Sequence, residues 1–155
     1  MRAVWYDRQG PAREVLVLGQ MEKPAPARGE VLIAIKASGV NPSDTMWRGG
    51  SAGAMKYPRI VTHSDGAGVI EAVGAGVPES RVGARVWFYN GQRNGRAFGS
   101  CADYISLDAD LVSPLPDDVS FAEGATLGIP GMTAHRCLTL FGPVQGRVVL
   151  ITGGA

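Results

Sequence analysis

Along much of the first 119 residues apolar side chains recur at every second position, the period of a strand whose two faces meet different surroundings. Glu30 to Ser38 shows it best. Val31, Ile33 and Ile35 alternate with Leu32, Ala34 and Lys36, which predicts one firmly buried face and one mixed face. Met1 to Tyr6, Glu14 to Leu18, Gly66 to Val73, Arg85 to Tyr89, Cys101 to Leu107 and Asp110 to Pro114 predict further strands. Loops are expected at Arg8 to Arg13, Gly49 to Lys56 and Asn90 to Gly99. Pro42 ends the clearest strand, and Ser43 to Arg48 predicts one or two helical turns after it.

After Pro116 the period changes. Ser120-Phe121-Ala122-Glu123 reads as a capping box: the serine hydroxyl takes a free N–H at the helix start and the glutamate reaches back. A short helix to about Leu127 follows, then a second from near Pro130. Ala134, Cys137, Leu138 and Phe141 form an apolar stripe at helical spacing on the second, and Gly142-Pro143 stops it. Arg147 to Thr152 predicts a last strand leading into Gly153-Gly154. The body is therefore mostly β, followed by the opening of an α/β unit. Because the chain stops where such a unit would continue, it is expected to be a piece of a longer protein.

Composition narrows the function classes. With 155 residues and 45% hydrophobic content, the chain can bury the core of about one domain. Lys plus Arg is 15 against Asp plus Glu at 14, with no basic run, so charge gives no reason to expect nucleic acid as a partner. Apolar runs such as Val148 to Ile151 are far too short to span a bilayer, and no membrane partner is expected. The N-terminus lacks the order of a signal peptide, and two cysteines, Cys101 and Cys137, make no disulfide framework; a cytoplasmic location fits these features.

Val148 to Ile151 followed by Thr152-Gly153-Gly154 is how a dinucleotide-binding fold begins, since glycines after a strand let the backbone approach a pyrophosphate. A plain strand end with a glycine turn is an equal reading of that segment alone. Other segments tip the balance: Gly39-Val40-Asn41-Pro42-Ser43-Asp44-Thr45, Ser64-Asp65-Gly66-Ala67-Gly68 running on to Gly74, and Gly128-Ile129-Pro130-Gly131-Met132-Thr133-Ala134. In this order they resemble the zinc-independent quinone oxidoreductase (zeta-crystallin-like) branch of the medium-chain dehydrogenase/reductase superfamily, over essentially the whole chain.

The resemblance implies a GroES-like catalytic domain, a partly closed β-barrel, over residues 1–119. It implies connecting helices over 120–146 and the first strand of a truncated Rossmann domain over 147–155. It also implies NAD(P)H-dependent reduction of a quinone or an activated alkene by hydride transfer, with NADPH as cofactor and NADH left open, and a homodimeric full-length protein. An enoyl or enone reductase, or a non-enzymatic crystallin-like structural role, are the alternatives. A cysteine and a histidine of the zinc-using relatives match Asn41 and Ser64. Amide and hydroxyl are poor zinc ligands, so no zinc is expected.

By the same resemblance Asn41 and Ser43 are the candidate catalytic residues, and Asn41, Met46, Thr133, Gly153 and Gly154 the candidate cofactor contacts. Met46 stands where better-known relatives carry a tyrosine, which leaves a flexible apolar contact without a hydroxyl. An amide such as Asn41 offers both a donor and an acceptor to a nicotinamide carboxamide or a quinone oxygen; capping the Pro42 turn is its plainer role. His63, where the family carries a small residue, is read as a partly buried residue with a local hydrogen bond, ahead of a proton donor facing the cleft.

Overall fold

The structure is a computed structural model that describes residues 1–92 and 96–152. Among the described residues eight strands form two antiparallel sheets. The smaller has the order β2-β1-β4, with β1 Arg2–Tyr6, β2 Val17–Gln20 and β4 Ile60–Val61. The larger has the order β7-β3-β5-β6-β8, with β3 Glu30–Gly39, β5 Asp65–Val73, β6 Arg85–Phe88, β7 Tyr104–Asp108 and β8 Val112–Pro114. Neither sheet closes into a complete barrel, as expected for a partly closed structure.

β3 lies inside the larger sheet, where its apolar pattern serves neighbours on both sides, β5 and β7. Val31 and Ile33 join Ile70, Val86, Phe88, Ile105, Leu107 and Val112 in the main core. Each such large side chain, fully buried, contributes roughly 1.5–3 kcal/mol. A second cluster, Ala3, Trp5 and Val61, lies under the small sheet.

Two register shifts along the β3–β5 ladder leave one extra residue each, Glu71 on β5 and Lys36 on β3. Both are charged and exposed, as suits a bulge. The shifts bring Gly39, the last residue of β3, opposite Asp65, the first of β5. That pairing positions everything that follows. Gly66, beside it, is glycine for packing: a Cβ there would lie 2.6 Å from the Phe88 ring.

Helices are short: α1 Ala12–Val15, α2 Pro42–Gly49, α3 Phe121–Gly124 and α4 Met132–Thr139. The capping box at α3 is present, with Glu123 N–H to Ser120 Oγ at 3.2 Å and Ser120 N–H to Glu123 Oε2 at 2.9 Å. Leu127–Gly131 is one wide turn around Pro130, closed by Gly131 N–H to the Thr126 carbonyl at 3.1 Å.

Several expectations are corrected. The chain at Ala12–Val15 is a helical turn inside the expected loop and strand, so β2 starts later, at Val17. The strand expected from Cys101 begins at Tyr104. The expected Arg147 to Thr152 strand does not form: no described strand pairs with it, and Val148 and Leu150 are 101% and 88% exposed. The stripe of Ala134, Cys137, Leu138 and Phe141 is exposed too, because no described element packs over that face of α4. Both segments carry sequence patterns that need a neighbour to bury them.

Candidate active site

Asp65 opens an apolar, glycine-flanked strand and is fully buried, an expensive place for a carboxylate unless it is bonded. Three donors from three different segments meet it. Asn41 Nδ2 donates to Oδ2 at 2.9 Å, Ile129 N–H donates to the same oxygen at 2.8 Å, and Asn90 N–H reaches Oδ1 at 3.4 Å. One side chain thus ties the start of α2, the turn before α4 and the loop after β6 to the head of β5.

Asn41 is extended, with φ −117° and ψ 155°, which its place before Pro42 favours. It caps α2: its own N–H donates to Asp44 Oδ2 at 2.7 Å, and the Asp44 N–H donates to its carbonyl at 3.0 Å. Burial pushes the Asp44 carboxyl above its ordinary pKa, while the Asn41 N–H and His63 act the other way.

His63 adopts a left-handed φ of 72°, uncommon outside glycine. Its imidazole starts a chain of hydrogen bonds. Nδ1 meets Ser38 Oγ at 2.9 Å, Ser38 Oγ meets Ser100 Oγ at 2.9 Å, and Ser100 Oγ donates to the Asp65 carbonyl at 2.6 Å. A carbonyl only accepts, so the Ser100 proton is committed to it. Ser38 must then donate to Ser100, and His63 Nδ1 must carry the proton that Ser38 accepts. Burial lowers the His63 pKa, only partly offset by Asp44, so the ring is neutral near pH 7 and its Nε2 holds a lone pair.

Beside this cluster lies a cleft of about 410 Å³. Tyr6, Trp47 and Tyr57 give it aromatic surface, and Ser43, Ser64 and Asn90 give it small polar groups. Burial, reinforced by Asp44, raises the Tyr6 pKa and keeps its hydroxyl protonated. Trp47 sits on α2, and Gln9 holds that turn through Nε2 to the Trp47 carbonyl at 2.8 Å and the Gly53 carbonyl at 2.6 Å. Such a lining suits a flat ring that carries carbonyl oxygens.

The sequence-derived candidates fall in different places. Ser43 lines the cleft. Asn41 lies behind it, buried, with its amide nitrogen on Asp65. Met46 is half exposed on α2 and Thr133 is exposed on α4, and neither is among the residues that line the cleft. Gly153 and Gly154 lie outside the described residues. Sequence reasoning missed Asp65, Tyr6 and Tyr57. An acid at the head of an apolar strand was the available signal for Asp65; Tyr6 and Tyr57 carried none, since each reaches the cleft from a distant segment. Among the described residues, no three His, Cys, Asp or Glu side chains converge where a metal ion could sit.

The alcohol dehydrogenase GroES-like domain family matches residues 27–117. The chain belongs to that family. Within it the chain sits in the quinone oxidoreductase-like branch of the medium-chain dehydrogenase/reductase superfamily, as the sequence motifs implied. Mouse (Mus musculus) quinone oxidoreductase is 35% identical over 158 residues, covering 100% of this chain and 46% of that protein. A mycobacterial protein solved in complex with NADPH is 32% identical with a TM-score of 0.77, over 93% of this chain and 41% of its own. Escherichia coli quinone oxidoreductase, also solved with NADPH, is 26% identical with a TM-score of 0.80, over 92% of this chain and 41% of its own. The chain thus spans about half the length of the curated relatives it matches. No described helix is long and apolar enough to cross a membrane.

Proposed function

We propose that the full-length protein containing this chain reduces a quinone, or an alkene activated by a neighbouring carbonyl, with NADPH as electron donor and without zinc. The cleft carries this reading: uncharged hydroxyls of Ser43, Ser64 and Tyr6 and the rings of Trp47 and Tyr57 line one cavity in a chain of this family. The relatives named quinone oxidoreductases, and the Escherichia coli one complexed with NADPH, support it.

The uncharged donors at the cleft fit a nicotinamide ring and its carboxamide; we assign Thr133 to the same nicotinamide and Gly153-Gly154 to the pyrophosphate. When bound, the cofactor supplies a hydride, two electrons and one proton, and the reduced substrate takes one more proton. The work of this chain is to hold the flat ring against Trp47 and Tyr57, keep water out, and aim O–H donors at the oxygen where negative charge develops. Ser43, at the start of α2, is the donor we assign to that oxygen, with Tyr6 held protonated as the second. Asn41 acts as a positioning residue, because its amide nitrogen is spent on Asp65 and its capping of α2 sets where Ser43 sits. The zinc-free reading rests on donor chemistry: a bonded amide and a hydroxyl occupy the positions where zinc-using relatives carry stronger ligands.

The test is consumption of NADPH by the folded full-length protein with 1,4-benzoquinone, cyclohexenone and crotonyl thioester in parallel. Fastest turnover is expected with the quinone. Preference for the thioester would transfer the reading to an enoyl reductase, and no consumption with any acceptor would leave a structural role. A stoichiometric zinc that survives mild chelation would overturn the metal-free part.

A further inference from the structure

The cleft has a charge bias that quinone reduction does not require. Two of the residues lining it are cations, Lys56 and Arg96, and among the described residues no carboxylate lines it. The nearby acids are turned to other work: Asp65 and Asp44 are buried and bonded to Asn41. The cations differ in character. Arg96 is fixed, its guanidinium bonded to the Ser106 carbonyl and 3.5 Å from Glu30 Oε1, which neutralises part of its charge. Lys56 is exposed, has no ion-pair partner among the described residues, and follows Met55 on the loop that leads to Tyr57. A long flexible ammonium at the rim of an aromatic cavity is placed to meet an anion whose apolar body lies inside.

We propose that the substrate is a flat carbonyl compound bearing an acidic substituent, a carboxylate, sulfonate or phosphate, with Lys56 as its counter-ion. This rests on the reading of the cleft as the substrate site. A neutral quinone would leave the Lys56 charge with water alone, so the charge discriminates between substrates that the aromatic walls accept equally. The same ammonium could instead serve a cofactor phosphate, and the experiment separates the two.

The full-length protein and its Lys56→Ala and Lys56→Glu variants are titrated, without cofactor, with 1,4-naphthoquinone-2-sulfonate and with 1,4-naphthoquinone, following tryptophan fluorescence. The sulfonate is expected to lose about two- to fivefold more affinity than the neutral quinone in Lys56→Ala, as one partly screened ion pair allows. The loss should be larger in Lys56→Glu and smaller in high salt. NADPH affinity should not change. Equal losses for the two quinones, or a weakened NADPH with an unaltered sulfonate, would overturn the proposal. Lys56-dependent sulfonate binding without turnover of any quinone would instead retain the anionic-ligand site and remove quinone reduction.

Discussion

The side-chain amide of Asn41 donates to Asp65 Oδ2 at 2.9 Å, and both residues are buried. They meet because Gly39 and Asp65 are paired across β3 and β5, so the residue after Val40 faces the head of the next strand. The contact commits the amide nitrogen to the scaffold at the start of α2, the helix that carries Ser43 on the cleft wall.

Asn41→Ala is therefore expected to lower stability by about 1–3 kcal/mol, since Asp65 Oδ2 keeps only the Ile129 N–H. For a domain of this size that is a fall of roughly 2–4 °C in Tm for each kcal/mol. A thermal melt and the rate of NADPH consumption, measured on one variant, decide the matter. An unchanged Tm beside a collapsed rate would mean that Asn41 contacts the substrate directly.

Asp65→Ala should be worse, because it orphans donors from α2 and the 127–131 turn together. A loss of about 3 kcal/mol or more is expected. Urea unfolding checks it, and a loss below about 1 kcal/mol would show that water replaces the carboxylate.

Gly128→Ala tests the same hub from the other side. A Cβ on Gly128 would lie 2.6 Å from both the Asp65 Cγ and Oδ1 atoms, so either the carboxylate or the turn must move. The Ile129 N–H bond to Asp65 should weaken. Faster hydrogen exchange at Ile129 than in the parent protein is the expected outcome; unaltered exchange would count against the hub.

His63 gives a pH dependence with a definite sign. Its folded pKa lies below the ordinary value of 6.5, from burial first, with Asp44 opposing. The unfolded chain then binds the proton more readily, so this contribution is complete above about pH 6.5 and is lost as pH falls through the folded pKa. Asp44, raised by burial, has the opposite slope at lower pH, because the folded state binds its proton more tightly. His63→Asn, which tolerates a left-handed φ, should flatten the decline just below pH 6.5 in a series of melts. A slope identical to that of the parent protein would show that His63 is not its source.

The bonding chain from Ser100 through Ser38 fixes the tautomer of His63. Nitrogen NMR at pH 7 should find Nδ1 protonated and Nε2 bare. The reverse pattern would require the Ser38 and Ser100 oxygens, 2.9 Å apart, to face each other without a hydrogen, or Ser100 to abandon the Asp65 carbonyl.

Alternation of apolar residues was enough to locate β3, β5 and β6, and Ser120 with Glu123 was enough to start α3, because those signals act over a few residues. α1 and β4 were not legible: one spans four residues and the other two, too few to show a period. The stripe on α4 and the run at Val148 to Ile151 were legible as patterns, but burial is a property of a pair of surfaces, and no described element covers either.

For the site, the sequence by itself determined the family and a motif that places Asn41 and Ser43 around Pro42. Which of these side chains reaches the cleft was decided by tertiary structure. The extra residues at Lys36 and Glu71 shift the ladder and set Gly39 against Asp65, so Asn41 turns inward and Ser43 is left on the cleft wall. Tyr6, Tyr57 and Lys56 join it from segments with no local reason to be there. Contacts between residues far apart in the chain depend on strand register and turn geometry summed over the whole fold, and no local pattern of residues carries that sum.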